Sequence, residues 1–179
     1  MILAAGASRR FGRGNKLLAP FRGKALVLHA AEALHMASVN KLLAVTSDPE
    51  VTALLPEFHH ITGEKLLSQN IAHGAAWAKS QGADRLIVVL GDMPFVTSAH
   101  CDQLIERCSD SSASASSSGG VRSPPACFPS AMFDNLIALT GDRGAKALIN
   151  AIPSQSIIDA SSGELLDIDT QAELKALKG

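Results

Sequence analysis

No aspartate or glutamate occurs before Glu32, although the first 24 residues hold six cations, Arg9, Arg10, Arg13, Lys16, Arg22 and Lys24. With no carboxylate nearby to balance them, these charges predict an anionic ligand at this end of the chain. The imbalance is local. The remaining sequence has ten Lys and Arg against 17 Asp and Glu, and the whole chain carries −1. A nucleic-acid binder spreads basic charge over a face and is strongly basic overall, so one concentrated basic loop suits a small polyphosphate and argues against nucleic acid.

Long apolar runs are missing too. No stretch approaches the roughly 20 residues that span a bilayer, and no signal-peptide pattern precedes Gly6, so the chain is expected to be soluble and cytoplasmic. Cysteine is scarce. Cys101, Cys108 and Cys127 are odd in number and widely spaced, which indicates neither a disulfide framework nor a zinc motif and predicts reduced, partly buried thiols. His59-His60 is the one adjacent histidine pair, and neighbouring side chains on an extended segment face opposite ways, which suits a shared metal poorly. His29, His35, His73 and His100 read as surface or packing residues.

At 179 residues the chain fits one domain, 1–179, with a substantial core. Apolar runs alternate with helix-like stretches. Strands are expected over 1–4, 41–46 and 85–90, and helices over 26–36, 50–55, 68–81, 98–108, 131–139 and 145–149. A closing helix should run to about Leu177, with Thr170 as its N-cap and Glu173 three residues on. Short runs of Val, Ile and Leu read as strands covered on both faces. The alternation predicts an α/β fold, a mostly parallel central sheet with helices on both sides. Residues 109–120, rich in serine, read as a flexible surface loop.

Two chemically loaded segments follow strands directly: the glycine-punctuated loop from Gly6 to Lys16, and Gly91-Asp92-Met93-Pro94. In open α/β sheets, ligands bind beyond the carboxyl ends of the strands, so both loops can serve one site. The first loop is not a P-loop, because no Gly-Lys-Ser/Thr follows at the right spacing. Nor is it a Gly-x-Gly-x-x-Gly fingerprint.

Leu3-Ala-Ala-Gly-Ala-Ser-Arg-Arg-Phe-Gly12 followed by Lys16 closely resembles the signature of the MobA-like nucleotidyltransferases. Leu90-Gly-Asp-Met-Pro94, Ser123-Pro-Pro-Ala-Cys-Phe-Pro129, Gly141-Asp-Arg-Gly-Ala-Lys146 and Asp167-Ile-Asp-Thr170 are similar to its later blocks, in the same order. The resemblance implies a Rossmann-like nucleotidyltransferase domain, closest to molybdenum cofactor cytidylyltransferases. It implies a nucleotide site at Leu3, Ala4, Ala5, Gly6, Ser8, Arg10, Lys16, Asn70 and Asp92. Arg10 and Lys16 would hold the triphosphate and, with Asp92, carry the chemistry.

Mg²⁺ would take Asp92 and then Asp169 or Asp167, since residues two apart on an extended segment face the same way. Ala5 would narrow the base pocket and favour CTP over GTP. The acceptor would be a phosphorylated pterin, with a molybdoenzyme as the downstream recipient. The alternatives are GTP, another phosphorylated acceptor, or a non-catalytic carrier of cofactor for that molybdoenzyme. Ser123 stands where the family often has Gly. The opening strand is so short that its neighbours must hold it, which points to a native start upstream of Met1.

Overall fold

Residue-by-residue alternation decides which way each central strand faces. The computed structural model describes residues 1–6, 8, 10–12, 14–141, 145–161 and 163–177. Its strands are β1 Ile2–Leu3, β2 Pro20–Phe21, β3 Lys24–Ala25, β4 Leu43–Thr46, β5 His59–Thr62, β6 Arg85–Leu90, β7 Ser114–Ser118, β8 Val121–Pro129 and β9 Ile157–Asp159. Its helices are α1 Leu26–Met36, α2 Pro49–Leu54, α3 Leu67–Ser80, α4 Ser98–Arg107, α5 Phe133–Ile137, α6 Lys146–Ala151 and α7 Gln171–Ala176.

Seven strands form one sheet in the order β5-β4-β1-β6-β8-β7-β9. β1 lies parallel between β4 and β6, with Ile2 opposite Ala44 and Val89. β8 is antiparallel to both β6 and β7, and β9 is parallel to β7.

On these strands Ile2, Ala44, Ile87 and Val89 join one apolar cluster, together with Val27 and Leu34 of α1 and Leu104 of α4. Leu3, Leu43, Val45, Leu86 and Val88 point the other way, against Ile71 and Ala75 of α3 and Phe133 of α5. The period of two thus sorts every second side chain to the opposite layer, as a sheet covered on both faces requires.

A third, smaller cluster joins Phe11, Phe21, Leu26, Ile168 and Leu174. It ties the loop after β1 to the segment before α7. Helix α7 opens with a capping box, in which the Thr170 hydroxyl accepts from the Glu173 amide and the Glu173 carboxylate accepts from the Thr170 amide.

Residues 109–120 are a surface loop only at their ends, with β7 between them. Ser114, Ser116 and Ser117 are buried on β7, which is paired on both sides. Burying a hydroxyl is costly unless its proton is placed. Here the Ser114 hydroxyl donates to the Leu104 carbonyl at 2.6 Å and the Ser116 hydroxyl to the Pro125 carbonyl at 2.8 Å. The expected helix over 131–139 is shorter, a 3₁₀ turn at Ser130–Met132 followed by α5. The three cysteines are free and wholly buried rather than partly so. His59 lies on edge strand β5, where its ring stacks on Trp77 at 5.0 Å. Among the described residues, no helix is long and apolar enough to cross a membrane.

Candidate active site

β1 delivers Ala4, Ala5 and Gly6 to the carboxyl end of the sheet, where the Ala4 amide makes the last bond, to the Val45 carbonyl at 2.8 Å. The chain then loops to a 3₁₀ turn, Lys16–Leu18, capped by the Asn15 side chain accepting from the Leu17 amide at 3.0 Å. The other Asn15 amide atom donates to Asp48 at 2.8 Å, fastening the turn to the start of α2. Ser8, at φ 46°, accepts from the Lys16 amide at 3.2 Å through its hydroxyl. The backbone of Lys16 is therefore held on two sides while its side chain extends into the crevice.

Gly91 lies so close to β1 that an added Cβ would come within 3.3 Å of the Leu3 carbonyl oxygen, and this close approach sets Asp92 beside the loop. Ile168 is fully buried in the third cluster, and its amide donates to the Asp92 carbonyl at 3.0 Å. Burying Ile168 leaves Asp167 and Asp169 on either side of it.

Lys16, only 7 % exposed, donates from Nζ to Asp92 Oδ2 and to Asp169 Oδ1, each at 2.6 Å. Arg10, whose side chain is 79 % exposed, donates to Asp169 Oδ2 at 3.0 Å from the rim. Burial works against the Lys16 charge, but Asp92 and Asp169 outweigh it and hold the ammonium above its ordinary pKa. The hydrogen bond from Lys16 is the main reason that the Asp169 carboxyl lies below its ordinary range. Asp167 is raised, first by burial and then by Asp92 and Asp169, which places the three carboxyls within one another's fields.

Asp92 Oδ1 is buried and has no hydrogen-bond partner. A buried carboxylate oxygen left unsatisfied is costly, and an ion bound between Asp92 and Asp169 would satisfy it. Among the described residues no group of three His, Cys, Asp or Glu forms a metal cage. Two carboxylates with phosphate and water oxygens completing the shell is the usual mode for Mg²⁺, and this donor set fits it.

A cavity of about 260 Å³ opens next to this charge cluster, lined by Leu3, Ala5, Gly6, Lys16, Asn70 and Asp92 among others. Ala4 is buried in the core. A larger cavity, about 540 Å³, lies at the opposite end of the strands beside Met1, Lys41 and Leu43. Its cations already have partners, Lys41 on Gln81 and Arg85 near Asp110, so the smaller cavity is the candidate site.

Asn70 reaches the cavity wall but spends both amide atoms on Glu64, accepting from its amide at 2.6 Å and donating to its carbonyl at 3.1 Å. Its side chain holds the segment after β5 in place. That segment brings Lys65 to the cavity, a cation that the sequence reading did not single out because β5 itself was not read as a strand. Arg9, Arg13 and 142–144 of the Gly141 block lie outside the described residues.

Residues 1–157 match the MobA-like NTP transferase domain family. Purine catabolism protein PucB of Bacillus subtilis (strain 168) is 30 % identical over 97 % of this chain and 92 % of its own length. A protein of Mycolicibacterium paratuberculosis (strain ATCC BAA-968 / K-10) named "Probable molybdenum cofactor guanylyltransferase" is 28 % identical over 99 % of this chain and 93 % of its own. A solved nucleotidyl transferase from Methanothermobacter thermautotroptrophicus, Mth528, superposes with a TM-score of 0.84 at 19 % identity, covering 99 % of this chain and 94 % of that one. Asp167 and Asp169 lie beyond residues 1–157. With its signature loop at the switch point of a mostly parallel sheet and most of its length matched, the chain belongs to the MobA-like NTP transferase domain family and is a nucleotidyltransferase.

Proposed function

We propose that this nucleotidyltransferase moves CMP from CTP to a phosphorylated pterin-type acceptor, a molybdenum cofactor or its close relative, with release of pyrophosphate. The observation that carries the reading is the convergence of Lys16 and Arg10 with Asp92 and Asp169 at the mouth of the cavity behind Leu3, Ala5 and Gly6. An acceptor phosphate oxygen attacks the α-phosphorus in line, the bond from that phosphorus to the bridging oxygen breaks, and pyrophosphate departs with the electron pair. A terminal phosphate is already ionised near neutral pH, so no side chain has to remove a proton.

Lys16 and Arg10 hold the β- and γ-phosphates, and donors fixed before the reaction are the most effective stabilisers of charge that develops during it. Asp92 and Asp169, with Asp167 beside them, would hold Mg²⁺, whose chemistry when bound is to neutralise phosphate charge and polarise the α-phosphate. Gly6 and Ser8 shape the phosphate loop, and Asn70 keeps the cavity wall in position.

Ala5, projecting where a glycine would leave more room, supports a pyrimidine base. The relative named as a guanylyltransferase supports GTP as a second reading. Pyrophosphate release measured with each of CTP, GTP, ATP and UTP, in the presence of the loaded pterin and Mg²⁺, tests both. CTP-selective release supports the first reading, and GTP-selective release the second. Stoichiometric pterin binding with no release from any triphosphate would overturn transfer in favour of a carrier that serves a molybdoenzyme.

A further inference from the structure

We infer that the Lys16 ammonium is a resident cation bridging the two carboxylates that would hold a metal, and that it must swing onto the nucleotide phosphates before a divalent ion can bind. The inference rests on the reading of Asp92 and Asp169 as metal ligands.

Its basis is which atoms are engaged. Nζ of Lys16 lies 2.6 Å from Asp92 Oδ2 and 2.6 Å from Asp169 Oδ1, the two carboxylates that an ion would bridge. An ion held by these two carboxylates, even through the unpartnered Asp92 Oδ1, would sit beside the ammonium, and like charges so near one another repel strongly in a partly buried site. The backbone of Lys16 cannot retreat, because Ser8 accepts from its amide and Asn15 caps its turn. The flexible four-carbon stem can move instead, and Lys16 already lines the nucleotide cavity. A triphosphate there gives the ammonium a new anionic partner. Nucleotide binding and metal binding therefore promote one another, in equal measure as linkage demands. The device also keeps two acidic side chains paired while the site waits for substrate.

Electron paramagnetic resonance of free Mn²⁺ measures the affinity directly, without turnover. In the absence of nucleotide, Lys16→Met should bind Mn²⁺ about tenfold more tightly than the unaltered protein. Arg10→Met removes the same charge from the rim and should give a much smaller gain. Equal gains in both variants would reduce the effect to net charge and overturn the inference, as would a Lys16→Met variant that binds Mn²⁺ no better. In either case, Mn²⁺ binding by the unaltered protein in the presence of CTP would leave the proposed function standing. If no variant binds Mn²⁺ even with CTP, the metal site itself is wrong and the inference falls with it.

Should Lys16→Met fail to fold, the ¹⁵N-ammonium resonance of the unaltered protein, identified by its loss in Lys16→Arg, gives a second readout. Saturating Mg²⁺ and CTP should shift it, and an unmoved resonance with both ligands bound would refute the displacement.

Discussion

Gly63 and Ala5 face each other so closely that a Cβ added to Gly63 would lie 2.3 Å from the Ala5 Cβ. The side chain lost at one position makes room for the side chain kept at the other. Gly63→Ala should therefore destabilise the protein by about 1–3 kcal/mol through overpacking, with Ala5→Gly in the same chain restoring part of it in urea melts. Ala5→Gly alone enlarges the cavity, and the ratio of kcat/KM for GTP to that for CTP should rise. An unchanged ratio would show that Ala5 does not select the base.

Asp92 and Asp169 share one lysine, whereas Asp167 makes no side-chain hydrogen bond to it. Asp92→Ala should lower turnover by about 10²–10³-fold, a loss typical of removing a fixed electrostatic group, while CTP binding read by thermal shift changes far less. Asp169→Asn should cost more turnover than Asp167→Asn, and the reverse order would reassign the carboxylate.

Asn70 acts through Glu64 rather than reaching freely into the cavity. Asn70→Ala leaves two backbone groups unsatisfied and should cost about 1–3 kcal/mol of stability. Because the wall moves and the charge cluster does not, KM for the nucleotide should rise with kcat largely kept. A fall in kcat at constant KM would place Asn70 in the chemistry.

His100 is buried, with Nε2 2.8 Å from the Ser116 hydroxyl. That hydroxyl gives its one proton to Pro125, so Nε2 is the donor. Burial holds its pKa below the ordinary 6.5, against a smaller opposing pull from Glu164. Below that ordinary value the unfolded chain binds a proton that the folded one resists, so this contribution is complete above pH 6.5 and drains away on acidification. Melting temperature should fall as pH drops through this window, and His100→Gln should flatten the fall. Equal slopes in the two proteins would assign the acid sensitivity to other groups.

Leu26–Met36 and Arg85–Leu90 were readable because each repeats its apolar residues at the spacing of its own element over enough positions to be unmistakable. Ser114–Ser118 was not. Its neighbourhood alternates Ser and Ala with period two, but serine is weighted as solvent-seeking and alanine adds little hydrophobic signal, so composition pointed to a loop. The hydroxyl-to-carbonyl bonds that make burial affordable become visible only once α4 and β8 are in place. At the site, the glycine loop and Asp92 were legible as sequels to strands, and the resemblance supplied Asp169 and Asp167 without choosing between them. No spacing in the chain could reveal that Lys16 meets Asp169 across 153 positions, because that meeting depends on Phe11 and Ile168 sharing a small cluster. Lys65 was hidden for a related reason: edge strand β5 has the weak burial pattern of a half-exposed segment.

The cluster around Phe11 and Ile168 has a consequence for biosynthesis. Every strand of the sheet and the helices of both its layers precede Asp169 in the chain, so the acidic partner from the far end arrives only with the last helix. A growing chain thus acquires its scaffold well before its charge cluster closes. Until then Lys16 has Asp92 alone for company, and the nucleotide crevice stays without its second wall of negative charge.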